Sequence, residues 1–363
     1  MNRRTVTASV LALAAGLAVQ LPAATGASAA GSCAHPKIKV LGTLPGGGGV
    51  VNALGRGTIA AGSSAGVPAY WIGDTALKVP FPAGYSYGSV AAINRHDLMV
   101  GNVNDNATGR DVAFSYRIGA AKAKFLPGGT YARAVNDSGQ IAGGDAYDYP
   151  LSGYIWKGGA IQRTLTLPFP SGTSSISTIT GMNNQGTVIG AGSELVNGTF
   201  AQVGLVWPAD PTAPAVALLP IDSTDDSGIS VAPQDIDEHG RIVGATESYW
   251  ADSSYETYWD APYTADGTRL AGLPGIYNGG YLRAISPTTG LVVGESPESY
   301  SDAPGVAEIW TGTGPIRALP GLLPGADTGA EAAADNGNAG GFAVDAGGVE
   351  PVIWTCAAQQ ALP

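Results

Sequence analysis

The stretch ARAVNDSGQIAGG, residues 132–144, reads as two short apolar strands joined by a four-residue turn. An Asn opens the turn, a Gly follows three positions later, and a second apolar run ends on Gly. The same phrase returns at AAINRHDLMVG (91–101), MNNQGTV (182–188) and PQDIDEHGRIVG (233–244). Its closing glycines are Gly62, Gly101, Gly143, Gly190, Gly244, Gly294 and Gly341, 39 to 54 residues apart. A hairpin repeated at that period points to a repeat architecture in which strands persist and loops vary.

Two more strands complete each unit. One ends in an aromatic residue and a turn, as in AYWIG (69–73), GYIWKGG (153–159), AEIWTGTG (307–314) and PVIWTCA (351–357). Six of the 7 tryptophans fill this slot and Tyr116 stands in the second copy, so the aromatic is framework. The other ends in Leu-Pro or Phe-Pro, as in AVALLP (215–220) and PIRALPG (315–321); proline suits a strand end because it cannot donate to the ladder. We name the four strands a, b, c and d. Four short strands per unit, repeated about seven times, predict an all-β fold, a β-propeller, with an open β-solenoid as the alternative.

The chain ends support a ring. KIKVLGTLP (37–45) is a d strand without its a, b and c, and the last full set stops at c. In a ring the N-terminal strand completes the last blade. Cys33, just before that d strand, and Cys356, just after the last c strand, then come together and are expected to form a disulfide. The tail QQALP (359–363) also resembles a d strand and competes for the same edge.

Of the 363 residues, 13% are charged, and 54 glycines and 25 prolines mark a turn-rich folded chain. Arg3 and Arg4, the apolar run Val6–Leu21 and Ala27-Ser28-Ala29 read as a secretory signal over residues 1–29. Residues 30–363 are then one secreted, extracellular propeller domain. Removing Arg3 and Arg4 takes the net charge from −11 to −13, which excludes nucleic acid as a partner. No later segment is apolar for about 18 residues, so no membrane span is expected. A monomer is expected.

The pattern A-x-x-I-N-x-x-G-x-V-V-G, then A-x-x-W, then L-P-G-G resembles the extracellular repeats of the HAF family. Val135–Ile141 and Met182–Val188 carry the resemblance, and Val112-Ala113-Phe114 is the nearest copy of the triplet that names the family. The resemblance implies secretion and repetition, with no assigned biochemical activity.

The repeated Asn and Gly are expected to make turns. Function is therefore sought in the d–a and b–c loops, which in a propeller share one face. These loops include 81–89, 102–111, 144–153, 221–228, 245–258 and 295–305. Tyr147, Asp148, Tyr149, Tyr249, Trp250, Asp252, Tyr255 and Tyr300 form the expected ligand-binding set. Aromatic rings beside carboxylates suit an extracellular carbohydrate, because rings stack on sugar faces and carboxylates accept from hydroxyls. A non-catalytic binding protein is the reading this favours. A polysaccharide-cleaving enzyme using loop carboxylates and a surface module binding another protein are the alternatives. His35, His96 and His239 are the chain's 3 histidines, and no catalytic triad, zinc or phosphate-loop motif occurs. No catalytic residue, metal site or cofactor is expected.

Overall fold

The computed structural model describes residues 35–147, 151–168, 174–196, 199–221, 229–248, 253–273, 279–297 and 304–359. Seven four-stranded antiparallel sheets follow one another along the chain: blades 1 (49–78), 2 (85–125), 3 (131–165), 4 (174–217), 5 (229–269), 6 (281–318) and 7. Blade 3 is typical: a is Tyr131–Val135, b Gln140–Asp145, c Ser152–Lys157 and d Ala160–Leu165. Blade 7 combines a (Thr328–Ala333), b (Ala339–Asp345) and c (Gly348–Thr355) with d from the N-terminal side, Lys37–Val40. Lys37 pairs with Thr355 and Val40 with Val352, so the first strand closes the ring as its sequence implied. Ala357–Gln359 form a 3₁₀ turn, so the start of the tail takes no part in that edge. Among the described residues no helix is long and apolar enough to cross a membrane.

The a–b turns follow from side-chain chemistry. Asn136 Oδ1 accepts from Gln140 N, Asn183 Oδ1 from Thr187 N, and Asp237 Oδ1 from His239 N and Arg241 N. Gly139, Gly186 and Gly240 hold φ of 78°, 90° and 83°, the left-handed region that a β-carbon resists. His96 and His239 sit in two of these turns.

Each a strand carries a β-bulge at the same place, between Val51 and Ala53, Val90 and Ala92, Ala132 and Ala134, Ile179 and Gly181, Pro233 and Asp235, Leu282 and Ala284, and Ala330 and Ala332. The bulge drives an a-strand carbonyl toward the b-strand glycine. A Cβ on any of the seven closing glycines would lie 1.9 to 2.2 Å from that oxygen. The glycine is therefore fixed by the bulge of its own blade.

The core is divided among the seven seams between blades. Between blades 2 and 3, for example, Val100, Ala113 and Leu126 meet Ala132, Ile141 and Trp156. The tryptophan of one blade reaches into the seam with the preceding blade and donates to its d–a connection. Trp71 Nε1 bonds Gly42 O at 2.7 Å, Trp156 bonds Pro127 O at 3.0 Å, Trp207 bonds Thr166 O at 2.7 Å, Trp259 bonds Leu219 O at 2.6 Å and Trp354 bonds Pro320 O at 2.8 Å. Trp310 departs from the pattern and bonds Gly314 O in its own c–d turn. The aromatic slot thus buries a ring and satisfies a carbonyl between sheets.

Candidate functional site

The bulges do more than demand glycine. The extra residue of each a strand is turned to the propeller axis, and these residues are Asn52, Ala91, Arg133, Thr180, Gln234, Arg283 and Glu331. They line a cavity of about 670 Å³ that continues to the a–b turns. The position after it is Ala in five blades, with Gly181 and Asp235 in the other two, whereas this one carries six residue types in seven blades. The wall therefore offers two guanidinium groups, a carboxylate, two amides and a hydroxyl in one enclosure.

Several of these groups are positioned across seams. Asn52 Nδ2 donates to Ser89 Oγ at 2.6 Å and to Val90 O at 2.9 Å. Asp235 occupies a slot that is Ala or Gly in the other blades. Its carboxylate accepts from Ile236 N at 2.8 Å and from Ile285 N of blade 6 at 3.0 Å. Burial pushes the Asp235 carboxyl up to about 7, against the lowering effect of those two amides. Thr180 Oγ1 and Arg283 Nε are buried and have no hydrogen-bond partner in the protein among the described residues.

The turn end of the cavity is held by a relay of hydrogen bonds from the backbone of one blade to the next. Arg95 N donates to Asp137 Oδ1 at 3.1 Å, Asp137 N to Asn184 Oδ1 at 2.7 Å and Asn184 N to Glu238 Oε1 at 3.1 Å. Glu238 N then donates to Pro287 O at 2.9 Å, and Thr288 N to Asp335 Oδ1 at 2.8 Å. This relay crosses five consecutive seams and fixes the turns that surround the opening.

The loop-face set fares differently. Asp148, Tyr149, Tyr249, Trp250, Asp252 and Tyr300 lie outside the described residues, as does Cys33. Tyr147 lies in the b–c connection of blade 3 and is 44% exposed. Arg110 Cζ stands 5.2 Å from its ring centroid, and its hydroxyl accepts from Asp111 N at 3.3 Å. Tyr255 is not in a loop. It pairs with Thr246 inside the b–c ladder of blade 5, with Arg269 Cζ 3.8 Å from its ring centroid. The stretch 102–111 is likewise mostly ladder, with Asn104 opposite Asp111 and Asp105 opposite Arg110. Strand pairing continues beyond the repeating core here. Among the described residues no group of three or more His, Cys, Asp or Glu could hold a metal ion.

The axial residues share no single residue type, so no repeat marks their position in the sequence. The signal was the matched pair YARAV and YLRAI, which place Arg133 and Arg283 at the same position of blades 3 and 6.

No family profile and no curated protein sequence matches the chain. Solved structures do resemble it. The β-propeller domain of the Trilobed protease from Pyrococcus furiosus is 10% identical, covers 85% of this chain and 95% of its own, and superimposes with a TM-score of 0.55. The AfRom2 CNH domain is 12% identical over 88% of this chain and 99% of its own, with a TM-score of 0.47. An Aleuria aurantia lectin in complex with α-methyl-L-fucoside is 11% identical over 71% of this chain and 87% of its own, with a TM-score of 0.39. The first of these likenesses shows the fold, a seven-bladed β-propeller.

Proposed function

We propose that this chain is an exported, non-catalytic binding propeller that holds a small polar ligand in its axial cavity. The observation that carries the reading is the contrast between repeating and non-repeating slots. Asn, Gly and Trp recur because the blade needs them, whereas the seven bulge positions carry six residue types although the blade places no such demand on them. Amides, guanidinium groups and a carboxylate around one cavity suit a ligand rich in hydroxyls, and a saccharide end group fits that description.

Export rests on the twin-arginine, apolar and Ala-Ser-Ala pattern at the N-terminus, and kinship with the HAF repeats rests on the repeated hairpin. The Cys33–Cys356 disulfide belongs to the same proposal. Thr355 pairs with Lys37, so Cys356 follows the paired strand by one residue while Cys33 precedes its partner strand by four.

A second reading places an extracellular glycan on the long-loop face, favoured by the exposed ring of Tyr147. A glycan array on the mature protein tests both. Binding lost in Gln234→Ala and Arg133→Ala supports the axis, and binding lost only in Tyr147→Ala supports the loop face. An array without any hit removes the saccharide.

A further inference from the structure

The seam between blades 5 and 6 departs from the others at two framework slots. Two residues before the c-strand aromatic, five other blades bury Ala69, Phe114, Leu205, Thr257 or Val352; blade 6 has Glu308, at 0% exposure. Three residues before it, the other blades have Pro68, Ala113, Gly153, Gly204, Ala307 and Pro351; blade 5 has Glu256. Beside this point Tyr258 stacks on Trp310, with centroids 5.5 Å apart. Gly280 makes room for the carboxylate, since a Cβ there would stand 1.8 Å from Glu256 Oε1.

The two carboxyls meet at the buried hydroxyl of Ser296. Its Oγ lies 3.1 Å from Glu256 Oε1 and also contacts Glu308 Oε2. Hydrogen counting then constrains the protonation state. A serine hydroxyl has one hydrogen and can donate to one carboxylate. The other contact needs a hydrogen from the carboxyl side. With both glutamates ionised, one of the two contacts has no hydrogen and two like charges face each other out of water. Glu308 Oε1 has no partner among the described residues, which further disfavours charge on that side chain.

We propose that Glu256, Ser296 and Glu308 share one proton at neutral pH, Glu308 donating to Ser296 Oγ and Ser296 donating to Glu256, and that losing this proton in alkali loosens the seam between blades 5 and 6. The surrounding charges agree with placing the proton on Glu308. Arg269, on the d strand of blade 5, favours the ionised form of Glu256. Glu295, on the b strand of blade 6, opposes charge on Glu308 and is itself influenced by Arg283, Asp327 and Glu331. Burial first, then Glu256, pushes the Glu308 carboxyl up to about 8. Burial also raises Glu256, against Ser296 and Arg269. A carboxyl raised in the folded state stabilises it fully below the ordinary carboxylate range and loses that contribution as pH rises through its folded value.

The test combines infrared and thermal measurements on the mature chain in an Asp235→Asn background, which removes the axial carboxyl that burial raises to about 7. We expect a protonated-carboxyl carbonyl band that titrates away near pH 8, with the melting temperature falling by several degrees between pH 5 and 9. Adding Glu308→Gln, whose amide can replace the acid as donor to Ser296, removes the band and flattens the fall. The infrared titration without Glu308→Gln is decisive even if that variant folds poorly. Absence of the band at pH 7, or its persistence in Glu308→Gln, overturns the proposal. So does stabilisation by added Ca²⁺ at pH 8 that Glu308→Gln abolishes, because the seam would then hold a cation instead of a proton.

Discussion

The carbonyl oxygen of Tyr131 stands 2.2 Å from where a Cβ on Gly143 would be. That contact links the bulge that turns Arg133 to the axis with the glycine that ends the hairpin. Gly143→Ala must push the two strands apart or flatten the bulge. We expect a loss of about 2–3 kcal/mol in urea unfolding. Gly139→Ala, at φ 78° but with no atom within 4 Å of its Cβ, should cost about 1–2 kcal/mol.

The tryptophans separate ring burial from hydrogen bonding. Trp156→Phe removes the donor to Pro127 O and leaves a part-buried carbonyl between blades 2 and 3. Trp310→Phe removes only a bond within its own turn. Both lose packing, so the difference reports the seam bond. We expect Trp156→Phe to cost about 1–2 kcal/mol more by denaturant titration.

The ring depends on four residues from the N-terminal side. Deleting Lys37–Val40 exposes the c strand of blade 7 and strips the d strand from that blade. We expect lower thermal stability and a dimer or aggregate by light scattering, because an open edge recruits other strands. Replacing Cys33 with Ser tests the proposed staple separately. The loop-closure model gives a loss of about 4–5 kcal/mol, and mass spectrometry of the wild type should find no alkylatable thiol.

Much of the architecture was legible because blades are local. An Asn-to-Gly turn, a glycine-ended strand and a tryptophan slot each act within some 50 residues, and seven copies reinforce one weak pattern. Ring closure was legible because a d strand stood alone at one end. The axial site was harder to see. Period-2 alternation assigns Arg133 to one face of a strand, whereas a bulge re-aims it to the axis, and the bulge leaves its mark on the partner strand, as the closing glycine, rather than beside Arg133. The loops drew attention through Tyr and Asp, yet Tyr255 proved to be ladder. Glu256 and Glu308 were hidden for another reason: their meaning comes from slots that are small or uncharged in other blades.

Asp235 gives the axis a pH signature. Its carboxyl is raised to about 7, so its stabilising contribution is complete below the ordinary aspartate range and disappears as pH rises through 7. Asp235→Asn should remove this part of the pH dependence and raise the melting temperature by a few degrees at pH 8 relative to the wild type. Melting curves from pH 4 to 8 check the sign.

The central claim is that the non-repeating bulge residues form a ligand site. The most direct measurement is calorimetric titration of the best array ligand into three mature proteins: wild type, Arg133→Ala with Gln234→Ala, and Tyr147→Ala. The account predicts that the axial double variant stays folded and loses at least about tenfold in affinity, roughly 1.4 kcal/mol, while Tyr147→Ala binds like the wild type. Unchanged affinity in the axial variant, with loss in Tyr147→Ala, would contradict it and move the site to the opposite face.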